Sequence, residues 1–239
     1  MTDTPFDRFG EFAAHADNFL EISGRLNFHG EAEKHALHDI IRKLALTPED
    51  DLLEIGCGVG NLLLPLSFLV HTTTGVDHGE LLKKMEARLP IDRSSITLVS
   101  GNFLTAKVQG SYSKILIYSV IHYLRDEKEL TKFMGKATKL LRPGGIMVIG
   151  DIPNVDKKAR FLASEEGKRF LEEWQKKIAS AGAINHPKPS ASPLIQITDE
   201  VVARMIQSLK ESGMTARVVA QPEGLPISHT REDLIVERT

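Results

Sequence analysis

The sequence contains a single cysteine, Cys57, among its 239 residues. A lone cysteine cannot form a disulfide within the chain, so the composition fits a reducing compartment. The chain also lacks a charge excess, since 30 lysine and arginine residues face 32 aspartate and glutamate residues, for a formal net charge of −2. Dedicated nucleic-acid-binding proteins usually carry a basic excess, so this balance disfavours a nucleic-acid partner.

Long hydrophobic runs are missing as well. The most apolar stretch, LLLPLSFLV at 62–70, is far shorter than the roughly 20 residues that a membrane-spanning helix needs. The N-terminal segment MTDTPFDRFGEF carries acidic residues and no apolar run of the secretory kind. The sequence therefore predicts a cytoplasmic protein that has no membrane partner.

The chain does contain a regular alternation of short apolar runs with helical segments. The apolar runs of strand type are DLLEI, TTTGVD, SITLVS, SKILIYSV and GGIMVIGDI. Segments between them, such as DEKELTKFMGKATKLL at 126–141, place apolar residues at helical spacing. This alternation is typical of βαβ units, so the sequence predicts an α/β fold with a doubly wound, mostly parallel sheet.

Helical additions frame this region within a single domain, 1–239. Residues 1–46 predict an N-terminal helical cap, and residues 154–197 predict a lid inserted before the end of the sheet. Phe170 and Trp174 stand four residues apart in a charged stretch of this insertion, which is typical of an amphipathic helix. The chain ends with two strand-like runs, TARVVAQP and EDLIVER, which predict a terminal hairpin whose loop reaches the ligand-binding edge of the sheet.

The segment LLEIGCGVG at 52–60 places Gly56, Gly58 and Gly60 where a strand gives way to a helix. Glycine inside regular structure costs up to about 1 kcal/mol relative to alanine, so the bare backbone must be needed there. Such a loop presents backbone N–H groups to a ligand. The third glycine comes one position earlier than in the G-x-G-x-x-G dinucleotide fingerprint, and no G-K-S/T sequence is present. NAD is therefore disfavoured but stays open, and a nucleoside triphosphate is weakly supported.

Polar residues come directly after the next two predicted strands. Asp77 ends TTTGVD, where a carboxylate can accept hydrogen bonds from the two hydroxyls of a ribose. In the segment GNF at 101–103, Asn102 offers an amide for an adenine edge and Phe103 offers an apolar wall. An ordinary loop explains this last segment equally well.

These motifs occur in the order of a known family. LLEIGCGVGN, GVD, GNF, ILIYSVIHYL and LLRPGGIMVI together resemble the class I S-adenosylmethionine-dependent methyltransferases over residues 48–150. The resemblance implies a seven-stranded Rossmann-like sheet with its last strand antiparallel, and S-adenosyl-L-methionine as cofactor. It implies that the cofactor is bound by Glu54, Gly56, Cys57, Gly58, Gly60, Asp77, His78, Asn102, Phe103 and Ser119. Family members often carry aspartate at the position of Asn102.

Methyl transfer to a hydroxyl requires removal of a proton, and histidine is the usual base near neutral pH. The candidate catalytic residues are His122 after the fourth strand, His186 in the lid and His229 in the hairpin loop. Metal-dependent members of the family carry Asp and Asn after the fifth strand, like Asp151 and Asn154 here. They also carry an acid where this chain has Ser119, so no metal is expected.

The segment after the fourth strand bears on the acceptor. Nucleic-acid methyltransferases of this fold carry an N/D-P-P-Y/F segment there, whereas this chain has YSVIHYL. The sequence therefore predicts methyl transfer to oxygen or nitrogen of a small polar molecule. The lid segment GDIPN with its lysines is similar to methyltransferases of bacterial surface-sugar gene clusters, which implies a sugar or sugar-nucleotide acceptor.

Two other functions stay open for this sequence. The chain could be a non-catalytic S-adenosylmethionine-binding sensor or scaffold that uses the helix of Phe170 and Trp174 as a docking site. An NAD-dependent reductase is the other, although Tyr118 and Tyr123 are not followed by lysine four residues on, as the short-chain reductases require.

Overall fold

The computed structural model of the chain describes residues 4–26, 30–89, 94–180 and 193–239. These residues form a seven-stranded sheet in the order β3-β2-β1-β4-β5-β7-β6. The strands are β1 Asp51–Ile55, β2 Thr72–Asp77, β3 Ile96–Ser100, β4 Tyr112–Tyr118, β5 Leu141–Pro153, β6 Met214–Ala220 and β7 Arg231–Arg238. Strand β7 runs antiparallel to both of its neighbours, whereas the pairs among β1 to β5 are parallel. The predicted doubly wound sheet and terminal hairpin are both confirmed.

Helices cover both faces of the sheet. They are α1 Pro5–His15, α2 Phe19–Ile22, α3 Gly30–Leu44, α4 Leu63–Ser67, α5 Gly79–Glu86, α6 Glu127–Leu140, α7 Val155–Ala163, α8 Glu165–Ser180 and α9 Asp199–Glu211. Successive strand side chains point to opposite faces, so each central strand serves two cores. Residues such as Leu53 and Ile115 pack with α6 and α9, and Leu52 and Leu116 pack with α3.

Local sequence sets the boundaries of α6. Asp126 caps its first turn, because its carboxylate accepts a hydrogen bond from the Glu129 backbone N–H at 2.8 Å. Leu130, Phe133 and Ala137 form the buried stripe that the spacing predicted. The helix ends at Leu140, and the RPGG segment that follows at 142–145 already belongs to β5.

The N-terminal helix α1 docks on the start of α5. Thr4 and Asp7 form a capping box at the start of α1. Gly10 lies against the ring of His78, which is the N-cap of α5 and accepts a hydrogen bond from the Glu80 backbone N–H. A Cβ atom at position 10 would approach this ring to 2.3 Å, so glycine permits the close approach of the two helices.

Replacing Gly10 by alanine is therefore expected to destabilise the protein by about 1–3 kcal/mol, although alanine is the better helix former. Gly135 in α6 provides the matched control, because a Cβ atom there would meet nothing within 4 Å. Gly135→Ala is expected to stabilise the protein by roughly 0.5–1 kcal/mol. Urea unfolding of both variants measures the difference, and equal effects would contradict the close docking of α1.

The insertion at 154–197 contains helices α7 and α8, and its residues 181–192, including His186, lie outside the described residues. The predicted amphipathic helix is confirmed as α8, in which the rings of Phe170 and Trp174 stack with centroids 5.8 Å apart. Among the helices of the described residues, none combines the length and apolar character needed to cross a membrane.

Candidate functional site

A cavity of about 260 Å³ opens at the carboxyl ends of the strands. Strands β1 and β4 are neighbours in the sheet and lie at the centre of the cavity. The chain proceeds from β1 to β2 and β3 on one side, and from β4 to β5 on the other side. Ligands bind at this kind of switch point in doubly wound sheets. The site candidates that line the cavity are Glu54, Gly56, Cys57, Gly58, Asp77, Asn102, Phe103 and Ser119.

The glycine loop connects β1 to α4 and forms one wall of the cavity. Gly56 has φ +80°, and a Cβ atom there would approach Val120 to 2.4 Å. Gly58 has φ +56° and open space around it, so its backbone faces the cavity directly. Gly60 is buried next to Met85 and does not line the cavity. At Gly56 a side chain would collide with Val120, and at Gly58 the absence of a side chain leaves the backbone open to the cavity.

Asp77 closes this loop from the end of β2. Its carboxylate accepts hydrogen bonds from the backbone N–H groups of Gly58 at 2.6 Å and His78 at 2.7 Å. Burial raises the pKa of Asp77, and these two hydrogen bonds oppose that effect. His78 itself lies outside the cavity lining, where its side chain caps α5 and its ring contacts Phe6. A cofactor contact from His78 therefore stays a prediction.

Glu54 is the most unusual ionisable group of the cavity. Its side chain belongs to β1 and is 3% exposed, and its Oε2 atom has no hydrogen-bond partner among the described residues. Burial, followed by the nearby charge of Asp77, raises the pKa of Glu54 to about 8. Burial also raises the pKa of the neighbouring Cys57 thiol, which therefore stays protonated. A cationic group entering the cavity would ionise Glu54 and satisfy the unpartnered oxygen.

The segment after β3 forms the next part of the wall. The side-chain oxygen of Asn102 accepts a hydrogen bond from the Leu104 backbone N–H at 3.0 Å, which shapes the loop. The ring of Phe103 packs edge-on against Phe133 with centroids 4.8 Å apart, and Lys136 lies over the same ring. Because Asn102 and Phe103 both line the cavity, they provide an amide and an apolar surface for a flat ring.

A second cluster of polar side chains lies at the ends of β4 and β5. The Ser119 hydroxyl donates a hydrogen bond to Asp151, and Arg25 bonds to Ser119 Oγ at 3.2 Å and to Asp151 Oδ2 at 3.4 Å. All three residues line the cavity. Sequence reasoning identified Ser119, treated Asp151 only as a potential metal ligand, and missed Arg25, because no motif surrounds it. Within the described residues, no three His, Cys, Asp or Glu side chains are placed to hold a metal ion.

The two histidine candidates among the described residues, His122 and His229, do not line the cavity. His122 sits in a short 3₁₀ turn, Ile121–Tyr123, with its Nδ1 atom inaccessible and unpartnered among the described residues. Burial lowers its pKa to about 4, so the ring is neutral at physiological pH. The ring of His229 stacks on Phe161 of α7 at 4.6 Å. Neither histidine lines the cavity, and His186 lies outside the described residues. A histidine base therefore remains a prediction that this geometry does not support.

The cover of the cavity comes from the two ends of the chain. Phe6, Phe9 and Ile22 contribute from the N-terminal helices, and Leu225 and Ile227 contribute from the hairpin loop. The expectation that this loop reaches the ligand-binding edge is confirmed. Among the described residues of the insertion at 154–197, none lines the cavity, so its role as a lid remains a prediction.

Comparison with known proteins gives a family match in the centre of the chain. A family model described as "Methyltransferase domain" matches residues 53–149. A ubiquinone biosynthesis O-methyltransferase from Caulobacter sp. (strain K31) is 31% identical over 126 residues, which cover 52% of this chain and 48% of that protein. A dTDP-3-amino-3,4,6-trideoxy-alpha-D-glucopyranose N,N-dimethyltransferase from Streptomyces venezuelae is 28% identical over 49% of this chain and 48% of the relative. The chain thus spans about half the length of these curated relatives.

Solved structures match along nearly the whole chain. The N-methyltransferase NodS from Bradyrhizobium japonicum WM9, in complex with S-adenosyl-l-homocysteine, is 16% identical with a TM-score of 0.61 and covers 97% of this chain and 95% of its own. Magnesium protoporphyrin IX methyltransferase (ChlM) from Synechocystis PCC 6803 is 14% identical with a TM-score of 0.59, covering 98% and 94%. At these identities the likeness establishes the fold, which is the Rossmann-like one that the motifs predicted.

Proposed function

The chain carries a class I S-adenosylmethionine-dependent methyltransferase domain, and on that premise we propose that it transfers a methyl group from S-adenosylmethionine to oxygen or nitrogen of a small polar molecule. The observation that carries the proposal is the pair of carboxyl groups beside the glycine loop, of which Glu54 is buried and Asp77 is half-buried. Asp77 is held by two backbone N–H groups, and Glu54 has an oxygen without a described partner. Both face one cavity that the bare backbone of Gly58 also lines.

The chemistry of this lining fits S-adenosylmethionine. Glu54 would bind the cationic amino group of the cofactor. This group would pair with the ionised carboxylate and give its buried Oε2 atom a hydrogen-bond partner. Asp77 would accept hydrogen bonds from the ribose hydroxyls, and Asn102 and Phe103 would flank the adenine. When bound, the cofactor would supply a methyl group on a positively charged sulfur and a neutral thioether as leaving group. The cover formed by Phe6, Phe9 and Ile227 would exclude water from the reacting atoms.

At a finer level we propose a sugar or sugar nucleotide as the acceptor. The Streptomyces venezuelae relative supports this, since its name specifies a dTDP-linked amino sugar. We also propose a cytoplasmic location and no nucleic-acid or membrane partner, which the net charge of −2 supports. The polar groups at the ends of β4 and β5 provide hydrogen-bonding partners that a polyhydroxylated molecule requires.

A non-catalytic sensor or scaffold is the second candidate, and a specific observation favours it. Neither His122 nor His229 lines the cavity, so the described part of the lining contains no histidine base. In addition, α8 exposes Leu171, which is 40% accessible to solvent and lies on the helix suggested as a docking site.

Two measurements separate these functions. Calorimetric titration with S-adenosylhomocysteine is expected to show binding to the folded protein, and the absence of heat would contradict both functions. Incubation with methyl-labelled S-adenosylmethionine and a small-molecule extract of the source cells is then expected to give a labelled product. Binding without any labelled product would favour the sensor or scaffold.

A further inference from the structure

The backbone is strained at two neighbouring positions of the cavity. Ser119 has φ +59° and Asp151 has φ +57°, and both lie at the ends of adjacent parallel strands at the same edge. Among the described residues, Ala45 is the other non-glycine residue with positive φ, and it does not line the cavity. Backbone strain of this kind persists where the surroundings enforce it, and it clusters at functional sites.

The surroundings of Asp151 do enforce this conformation. The register between β5 and β7 shifts between Ile149 and Ile152, so Asp151 lies in a bulge. The backbone N–H of Asp151 donates to Asp233 Oδ1 of β7 at 2.9 Å. Lys43 holds the other oxygen of Asp233 at 2.6 Å. A buried ion pair therefore anchors the bulge and directs Asp151 to the cavity.

The charge of Asp151 is matched by two arginines. The carboxylate is 5% exposed and has Arg25 Nη1 at 3.4 Å and Arg231 Nε at 3.6 Å. Burial alone would raise the pKa of Asp151, but Arg25 and Arg231, together with the Ser119 hydroxyl, lower it below its usual range. Asp151 is therefore ionised at physiological pH, and it has no negative charge left over for a cationic ligand.

We propose that Asp151, Ser119 and Arg25 form the acceptor-binding part of the cavity, and that the acceptor presents a neutral hydroxyl group to Asp151. This inference rests on the proposed methyltransferase function and specifies it as O-methylation. An acceptor ammonium group would meet the guanidinium group of Arg25, which lines the cavity, and the positively charged sulfur. Because Arg25 and Arg231 already match the charge of Asp151, an amine is unfavourable there. A hydroxyl instead donates a hydrogen bond to the carboxylate, which Arg25 and the Ser119 hydroxyl hold in place.

The transfer step balances with the groups of this site. The hydroxyl oxygen forms the new bond to the methyl carbon while the methyl–sulfur bond breaks. The electron pair of the broken bond stays on sulfur. As the new bond forms, the oxygen becomes strongly acidic, so its proton passes to the Asp151 carboxylate even though the pKa of that group is low, and from there to water. Arg25 belongs to the N-terminal cap, so the cap contributes directly to the acceptor site.

The chemical nature of the product tests this inference. The protein is incubated with ¹³C-methyl S-adenosylmethionine and a small-molecule extract of the source cells, and the methyl resonance of the product is assigned by NMR. An O-methyl product supports the inference. An N-methyl product overturns the inference and leaves the proposed methyltransferase function intact, whereas a lack of S-adenosylhomocysteine binding by the wild-type protein would overturn both.

Variants test the assignment of residues. Asp151→Asn, in which asparagine tolerates positive φ, is expected to lower kcat by about 100-fold or more while leaving S-adenosylhomocysteine affinity nearly unchanged. It is also expected to weaken S-adenosylmethionine binding several-fold relative to S-adenosylhomocysteine, because the charges of Arg25 and Arg231 are then unmatched and repel the sulfonium. Arg25→Gln on the cap gives a second variant outside the sheet core, with the same expected loss of kcat.

The matched control is Glu127→Gln, which removes a carboxylate paired with Arg204 on the surface of α6. This variant is expected to keep wild-type kcat and the wild-type ratio of the two affinities. An Asp151→Asn protein that is folded and retains both wild-type values would overturn the assignment.

Discussion

Asp77→Ala is expected to reduce the affinity for S-adenosylhomocysteine by about two orders of magnitude or more. A carboxylate that accepts hydrogen bonds from both ribose hydroxyls contributes roughly 1.5–3 kcal/mol for each charged hydrogen bond, and alanine accepts none. The substitution also frees the backbone N–H groups of Gly58 and His78, which Asp77 now holds at 2.6 and 2.7 Å. The loss therefore combines a missing ligand contact with a less ordered glycine loop, and isothermal titration calorimetry measures it.

Asp51 offers a matched control at the opposite edge of the same strands. It begins β1, pairs in register with Thr72 and forms an ion pair with Arg142, far from the glycine loop. Asp51→Ala is expected to leave the affinity for S-adenosylhomocysteine unchanged. A folded Asp77→Ala protein with wild-type affinity would limit Asp77 to anchoring the loop and would remove the ribose contact from the proposal.

Glu54→Gln is expected to stabilise the ligand-free protein at alkaline pH and to weaken cofactor binding. The pKa of Glu54 is about 8 in the folded protein against an ordinary value of 4.5, so the folded state retains a proton that the unfolded state has lost. Wild-type stability therefore falls as pH rises from about 4.5 to about 8, by roughly 3–5 kcal/mol from this residue. Glutamine remains neutral and avoids this loss.

The quantity to measure is the difference in melting temperature between the wild type and Glu54→Gln. At pH 5 we expect similar melting temperatures, and at pH 8.5 we expect the variant to melt about 6–15 °C above the wild type. In calorimetry we expect the variant to bind S-adenosylhomocysteine more weakly than the wild type, because glutamine carries no charge to pair with the amino group. Parallel stability profiles of wild type and Glu54→Gln across this pH range would contradict the buried, proton-retaining state of Glu54.

The convergence of the proposed cofactor residues was predictable because each of them lies at or just after the end of a strand. Glu54 and Gly56 lie at the end of β1, Asp77 ends β2, and Asn102 comes after β3. Parallel strands bring their carboxyl ends to one edge, so local patterns along the chain were enough to place these side chains together. The succession of strands and the terminal hairpin were predictable from the same local periodicity.

The histidine candidates show where this reasoning fails. His122 also comes after a strand, but its turn directs the ring into protein, where burial lowers its pKa to about 4. His229 lies in the hairpin loop that covers the cavity, but its ring stacks on Phe161 instead of joining the lining. Position along the chain placed both residues near the edge, and only side-chain packing decided what they contact.

The sequence alone determined the α/β fold, the glycine loop and the acid at the end of the second strand, because each depends on residues close together in the chain. Tertiary structure decided the proposed acceptor side, where Arg25 contacts Ser119 and Asp151 across separations of 94 and 126 residues. It also decided the proton on Glu54, because desolvation depends on everything packed around a side chain. Contacts between distant segments and the loss of water arise only when the sheet is assembled and the N-terminal helices cover it.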